Sequence, residues 1–407
     1  MQVFMGIDWG HSHHDLCFMN AFGQVLSQLT VEHTAAGLAQ LEQARVQLGV
    51  SREDCRIGLE TAHTLVIDFL WDQGYPVVFV ISPGAIKGAR RRYRQTNAHT
   101  DASDAWLIAD VVRTDPATLY PWRPDSLLIR QLRTKVSLVH FLTKEMRRLT
   151  NRLGAVLARY YPAGLHVFRD FASPVSLQFL QAFPTPEAAA GLTRQAFGAF
   201  ARARRYRQPE AVLSAAYGRL QAEYPRASDT TVAAYQEEAV WLAGHLLTTV
   251  QQKQTEIGRL QVLFQQHPDH ELFAALPGAA DFLAPALLAK FGDDRERFPE
   301  PGSLQSMAGT CPVTEKSGKS RRISFRQACD HEFRDIAQQW AKSSIAQSSW
   351  AATYWHQVRE HSRSANHAYR CLANRWLAIA WKCWQTRQPY DEGVHLQNRA
   401  RRLAARA

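Results

Sequence analysis

Val3-Phe4-Met5-Gly6-Ile7-Asp8, VFMGID, decides how this chain is read. An apolar run ends on a carboxylate, and Gly10 follows where the chain must turn. Successive residues of a strand face opposite sides, so a run that is apolar on both sides belongs inside a sheet. A carboxylate at the end of such a strand lies at the edge where open α/β sheets gather ligands. Cys55–Glu60, CRIGLE, repeats the pattern and ends on Glu60. Asp101 and Asp104 open DASDAWLIAD, and their i, i+3 spacing sets both on one helical face. Taken alone, Asp101 reads as a helix N-cap. Taken together, Asp8, Glu60, Asp101 and Asp104 read as oxygen ligands for Mg²⁺. Hard divalent cations take carboxylates, and paired Mg²⁺ ions suit phosphodiester chemistry. Asp110 falls on the opposite helical face and is expected in solvent.

Outward from VFMGID, His14–Met19 reads as a hairpin partner and the stretch near Val25–Val31 as a third strand. Ala36–Leu48 has helical periodicity, and Cys55–Glu60 is the fourth strand. Thr64–Gln73 is helical, Pro76–Ile81 (PVVFVI) is a buried strand, and Asp101–Arg113 is helical again. That element order is the order of an RNase H-like sheet. Leu127 to about Tyr161 is helical and basic. Prolines 162, 184, 186, 209 and 225 break residues 162–226 into helical fragments. A long helix is expected from about Ser228 to Gln266. Val232, Tyr235, Ala239, Leu242 and Leu246 recur along it at a spacing that allows a coiled-coil seam between copies; the plainer reading is a helix packed in its own domain. The fold class is α/β plus all-α. An RNase H-like (RuvC-like) metal-binding domain over 1–125 is followed by a helical linker and coiled coil over 126–268. A mostly helical domain over 269–395 and a basic tail over 396–407 complete the chain.

The chain has 407 residues, 46% hydrophobic and 21% charged, which makes it globular. Its formal net charge of +11 calls for a polyanionic partner. Arginine clusters among 11 Trp, 12 Tyr and 19 Phe fit nucleic acid better than a membrane surface. In KGARRRYR, Lys87, Arg90, Arg91, Arg92 and Arg94 surround Tyr93, offering guanidiniums for phosphates and a ring for a base; a solvated loop is the plainer reading. Leu276-Pro277-Gly278 resembles the turn of a helix–hairpin–helix, which presents backbone N–H groups to phosphate. Ala280 replaces the usual second glycine, and packing explains the turn equally well. CPVTEKSGKSRRIS, Cys311–Ser324, sets Ser317 and Ser320 among Lys316, Lys319, Arg321 and Arg322, a phosphate-contact loop. Its GKS is not a P-loop, because Val313 stands where the motif needs glycine. His11, His13 and His14 near Asp8 match no usual zinc spacing. The six cysteines form no CxxC pair, so neither disulfides nor zinc are expected and a reducing cytoplasm fits. No secretory signal is expected, and Leu272–Phe291, broken by Pro277, Gly278, Asp281 and Pro285, reads as buried helices rather than a membrane span.

GIDWG with Asp8, GLET with Glu60 and HTDASDAWLIAD with Asp101 and Asp104 resemble the DEDD-type transposases of insertion-sequence family one-ten. LPGAADFLAPALLAKFGDDRERFPEPGSLQSMAGTCPVTEKSGKSRR resembles that family's C-terminal transposase domain, and Gln388-Pro389-Tyr390-Asp391 its closing segment. The resemblance implies a serine recombinase. Asp8, Glu60, Asp101 and Asp104 would hold Mg²⁺, and Ser317 would be the nucleophile in a serine loop whose second serine is Ser320. It also implies a structured non-coding guide RNA that pairs with donor and target DNA, and assembly into homodimers or homotetramers. His99, Ser82 and Ala280 depart from the family's pattern at RNA- or phosphate-facing positions. Two other readings stand beside it. One is a RuvC-like Mg²⁺-dependent endonuclease of junction-resolvase type, using activated water. The other is a basic RNA-binding protein with an inactive catalytic domain, against which the intact D…E…DxxD set argues.

Overall fold

A computed structural model describes residues 1–60, 65–93, 100–318 and 320–404. Arg94, His99 and Lys319 lie outside the described residues. The chain divides into two compact units, Met1–Asp125 and Ser126–Ala407.

In the first unit, β1 (Val3–Trp9) pairs antiparallel with β2 (His13–Asn20), and β2 with β3 (Val25–Glu32). Helix α1 (Ala35–Gln47) leads to β4 (Cys55–Leu59), which pairs parallel with β1. Helix α2 (Leu65–Asp72) crosses to β5 (Val78–Val80), parallel to β4, and a short β6 (Pro121–Trp122) closes the edge. The strand order β3-β2-β1-β4-β5-β6 is that of an RNase H-like sheet with one added strand. Alternation along β1 explains its two coats. Val3, Met5 and Ile7 enter a core with Leu41 of α1 and Leu70 of α2. Phe4 and Gly6 face the opposite side, where α4 (Asp101–Thr114) packs. A Cβ on Gly6 would lie 2.0 Å from the Ala105 carbonyl oxygen and 2.5 Å from the Ala109 nitrogen. Only glycine lets the helix backbone rest on the strand backbone here.

Lys87–Arg92, expected within a loop, instead ends α3 (Pro83–Arg92), which begins at an N-cap from Ser82 with Pro83 in its first turn. The N-cap of α4 is Thr100, in a reciprocal capping box with Ser103. Asp101 is therefore released from the capping role its position suggests. Asp110, expected in solvent, is instead 2% exposed. It accepts hydrogen bonds from Arg113 and from the Tyr93 hydroxyl, which offset the cost of burying its charge.

In the second unit, α5 (Leu127–Tyr160) runs antiparallel to α6 (Asp229–Gln265), as Lys135–Glu256 (2.6 Å) and Arg152–Glu238 (2.6 Å) show. Short helices between Pro162 and Leu220 pack on the pair. The 3-4 stripe of α6 is used inside the chain: Ala239, Leu242 and Leu246 are buried in a core with Leu153, Val156 and Leu157 of α5. Those positions are therefore not a seam open to a second copy. The same two helices continue into a second core, with Leu260 and Phe264 beside Ile129, Leu132 and Val136. The residues expected to form separate domains over 126–268 and 269–395 thus share one helical spine. The second core is completed by α7 (Leu283–Phe291), α8 (His331–Ser344), α9 (Ser349–Glu360) and α10 (Ala365–Thr386), with Trp340, Trp376 and Trp384 fully buried. The basic C-terminal segment continues as α11 (Glu392–Ala404).

The Leu276-Pro277-Gly278 turn is a packing device. The Gly278 N–H donates to Gln347 Oε1 (2.7 Å), and the Pro277 carbonyl accepts from Trp340 Nε1 (2.9 Å). Its N–H is thus committed within the chain rather than offered to phosphate. All six cysteines are free thiols. Among the described residues no helix is long and apolar enough to cross a membrane.

Candidate metal centre

Strand alternation turns the carboxylates toward one side of the sheet. On β1, Gly6 faces α4, so Asp8 does also. On β4, a Cβ on Gly58 would meet Val112 and Ile108 of α4, and continuing the alternation past Leu59 sets Glu60 on that side. On β2, Cys17 and Met19 pack on Ala105 and Ala109, so Asp15 and His13 point the same way. The antiparallel register places Asp15 directly opposite Asp8. From α4, Asp101 and Asp104 in the first turn reach down to the same edge.

The electrostatics record this crowding. Burial, then the charges of Asp104, Asp101, Glu60 and Asp15, push the Asp8 carboxyl from 3.8 up to about 6. Little positive charge is supplied in return. Arg90 pairs with Asp104, and His13 Nε2 lies 3.8 Å from Asp101 Oδ2. A buried Asp8 carboxyl raised by four neighbouring carboxylates, with so few cations beside them, makes a site that gains from a divalent ion.

His13, Asp15 and Asp101 offer ligand atoms that all lie within 4.8 Å of one another. Zinc spacing alone sets the histidines aside, and the D…E…DxxD pattern does not include Asp15. The signal that finds Asp15 is the hairpin register: seven residues after Asp8, across a tight turn, an antiparallel partner returns to the same face. Thr30 Oγ1 donates to Asp15 Oδ1 (2.6 Å) and orients it. His14, one residue off this register, is buried away from the site. Its Nε2 lies 2.8 Å from His33 Nδ1. Burial, then His33 and His13, hold its pKa down at about 4.

The basic run divides by partner. Arg90 is held by Asp104, Arg92 by Asp115 (2.9 Å), and Tyr93 by Asp110, its ring edge-on to Trp106. These contacts strap α3 to α4. Lys87 and Arg91 are exposed, with no carboxylate partner among the described residues.

In the second unit, the stretch expected as a loop around Ser317 is a β-hairpin. Strand β7 (Val313–Ser317) pairs with β8 (Ser320–Ser324), setting Ser317 opposite Ser320, Lys316 opposite Arg321 and Glu315 opposite Arg322. Gly318 opens the turn at φ +55, a conformation that favours glycine. Cross-strand partners share a face, so Ser317 and Ser320 lie with Glu315 and Arg322, while Lys316 and Arg321 project from the other side. Both strands are largely exposed.

Comparison with known proteins agrees with this arrangement. Residues 5–162 match a family model described as transposase, of the DEDD type, and residues 270–356 match one described as transposase IS116/IS110/IS902 family. The chain is 29% identical over 398 residues to the mini-circle putative transposase for IS117 of Streptomyces coelicolor, covering 96% of each protein. It is 26% identical over 390 residues to the insertion element IS900 uncharacterized 42 kDa protein of Mycobacterium paratuberculosis, covering 93% of this chain and 94% of that one. A putative transposase y4uE of Sinorhizobium fredii matches at 26% over 216 residues, 53% of this chain and 60% of that one. With the DEDD-type match over the first unit, a second family match over residues 270–356 and a relative covered almost end to end, the chain belongs to the IS110/IS116/IS902 family of insertion-sequence transposases.

Proposed function

We propose that this transposase cuts and rejoins DNA with Ser317 as nucleophile and Mg²⁺ held by Asp8, Glu60, Asp101 and Asp104. A structured non-coding RNA selects the DNA sites, and copies of the chain act as a homodimer or homotetramer. The observation that supports the reading is that burial and the charges of Asp104, Asp101, Glu60 and Asp15 together push the Asp8 carboxyl up to about 6. Bound there, Mg²⁺ supplies neutralisation of the charge that builds on a phosphoryl group in transfer.

Ser317 Oγ attacks the phosphorus of a DNA phosphodiester, a serine–phosphate bond forms, and the bond to the leaving 3′-oxygen breaks. The serine proton is lost and the 3′-oxygen leaves as a hydroxyl. One phosphoester replaces another, so the reverse step rejoins a strand without ATP. Serine at its free pKa is a weak nucleophile, so its hydroxyl needs an electropositive setting. Arg322, on the face shared with Ser317, and Arg321 supply guanidiniums for flanking phosphates. Lys319 and Arg94, outside the described residues, belong to the same basic sets by sequence. On α3, Lys87 and Arg91 are the residues left for RNA phosphates, since Arg90, Arg92 and Tyr93 serve carboxylates of α4 and the residue after it.

The test is a covalent-adduct assay. The full chain, co-expressed with its element's non-coding flanks, is incubated with donor and target DNA and Mg²⁺ and run on denaturing gels. A protein–DNA adduct that disappears in Ser317→Ala upholds the serine nucleophile. Cleavage with no adduct moves the mechanism to metal-activated water, as in a RuvC-like endonuclease.

A further inference from the structure

Immediately after β8, Phe325 collects arginines. Arg334 of α8 places its Cζ 4.3 Å from the Phe325 ring centroid, and Arg370 of α10 places its Cζ at 4.5 Å. Arg326 is the next residue along the chain. Its carbonyl accepts from Arg334 Nη2 at 2.5 Å, and the same nitrogen lies 2.6 Å from Cys329 Sγ. Gly309 leaves room for this packing, since a Cβ there would meet Arg334 Nη2 at 2.6 Å.

Two guanidiniums thus gather on Phe325 with the backbone of Arg326 beside them, and among the described residues none of these three arginines pairs with a carboxylate. Arg334 is 8% exposed, yet its Nε has no hydrogen-bond partner, and the Nε of Arg326 is buried and equally unpartnered. Buried charges are normally paired, and buried donors are normally bonded. Stacking on Phe325 supplies part of the compensation, because an aromatic face attracts cations. It supplies no acceptor for the free N–H groups. Burial holds the Arg370 guanidinium below its ordinary value against an upward pull from Cys371, and the charge of Arg334 adds a smaller downward push. A cluster of this composition is complete when an anion is bound, and guanidinium forks match the oxygens of phosphate.

We propose that Arg334 and Arg370, aligned by Phe325, form with the neighbouring Arg326 a phosphodiester-binding site at the foot of the Ser317 hairpin, and that it holds the flank of the DNA being cut. A strand rises about 3.4 Å per residue, so Phe325 lies roughly 17 Å along β8 from Ser320, the residue opposite Ser317. That spans about five base pairs of duplex at 3.4 Å each, so the phosphate held here is a flanking one. This placement rests on Ser317 being the nucleophile; the affinity for phosphodiester does not.

The experiment measures binding of a fluorescein-labelled 30-bp duplex by anisotropy, between 50 and 300 mM salt, with the full chain carrying Ser317→Ala. Removing one arginine–phosphate pair lowers the slope of log K against log salt by about 0.9 for duplex DNA. Arg370→Gln and Arg326→Gln each lower it by about that amount, and Arg370→Lys retains it. Phe325→Leu keeps the slope and weakens binding, because the charges remain but lose their alignment. Arg194→Gln, a surface arginine paired with Glu210, leaves the slope unchanged. Folding is checked by thermal melting, and Arg334 is spared because its burial makes a folding defect the expected result. Slopes equal to the parent's in both folded Gln variants would overturn the site. A slope change on single-stranded RNA of the same sequence but not on duplex DNA would overturn the DNA assignment. A slope change on DNA, with no adduct from the wild type, would uphold the anion site and remove its placement beside a cut phosphate.

Discussion

Replacing Gly6 by Ala should disable the metal centre without touching a carboxylate. The added methyl meets the Ala105 oxygen at 2.0 Å and the Ala109 nitrogen at 2.5 Å, both backbone atoms that no rotamer change can move. Ordinary van der Waals contact begins near 3.4 Å, so α4 must retreat by about 1.4 Å at Ala105. Overpacking of this kind costs about 1–3 kcal/mol, offset by under 1 kcal/mol from the reduced freedom of the unfolded chain. For a unit of this size the melting temperature should fall on the order of 5 °C. The larger effect is on geometry. Asp101 and Asp104 ride on the first turn of α4, four residues and one residue before Ala105, and are carried away from Asp8 on β1. A misplacement near 1 Å can cost about 100-fold in rate, and loss of support to metal ligands about 10–100-fold in affinity. The assay is titration calorimetry with Mn²⁺ as probe, beside thermal melting with chelator present. Gly58→Ala is the comparison. Its methyl meets only side-chain tips, Val112 Cγ2 at 2.5 Å, Ile108 Cγ2 at 2.9 Å and Ile81 Cδ1 at 3.0 Å, which can shift. It should cost no more than about 1 kcal/mol and keep metal affinity within a few-fold. Wild-type Mn²⁺ affinity and melting in Gly6→Ala would refute the argument that strand-on-helix contact sets the carboxylates.

Asp8→Asn should stabilise the metal-free protein while abolishing DNA cleavage. The Asp8 carboxyl is raised, so its contribution to stability is full below about pH 4 and is lost as pH rises through 6. The variant's advantage should therefore grow from pH 4 to pH 7, to about 1–2 kcal/mol after discounting for solvent screening, read by urea unfolding in EDTA; no advantage at pH 7 would dismiss the crowding. Arg90→Ala frees Asp104 and should raise Mn²⁺ affinity while lowering metal-free stability by about 1–3 kcal/mol; a lower affinity would mean that Arg90 positions Asp104 for the metal. Burial pushes the Asp293 carboxyl up, but hydrogen bonds from His267 (2.8 Å) and Ser126 (2.8 Å) outweigh it and bring it down to about 2. That stability is present above about pH 4 and lost as pH falls toward 2, so Asp293→Asn should flatten the acid limb of the denaturation curve by about 1–2 kcal/mol. Gly278→Ala places a methyl 2.5 Å from the Ser344 nitrogen at φ +74 and should cost about 2 kcal/mol or more by urea unfolding.

The chain's own order of residues determined the sheet and singled out the acidic residues proposed to hold the metal. Asp8, Glu60, Asp101 and Asp104 stand out because strand ends and helix starts are local features, written in runs of a few residues with period 2 or 3.6. The strand order β3-β2-β1-β4-β5 follows from a meander and two crossovers, which leave few arrangements. What the tertiary structure decided is where each charge finds its counterpart. Asp110 shares its helix with Asp101 and Asp104 yet is buried, because Tyr93 and Arg113 reach it. Arg90, Arg92 and Tyr93 read as nucleic-acid contacts until α3 is set against α4 and the carboxylates of α4 and Asp115 claim them. Asp15 joins Asp8 through strand register, and the stripe on α6 is covered by α5 of the same chain rather than by a second copy. Arg334 and Arg370 lie on different helices and meet only when α8 and α10 pack around Phe325. Periodicity records which side of an element is apolar, because that depends on neighbours in sequence. Pairing of charges depends on distances across the fold, and no spacing along the chain encodes those.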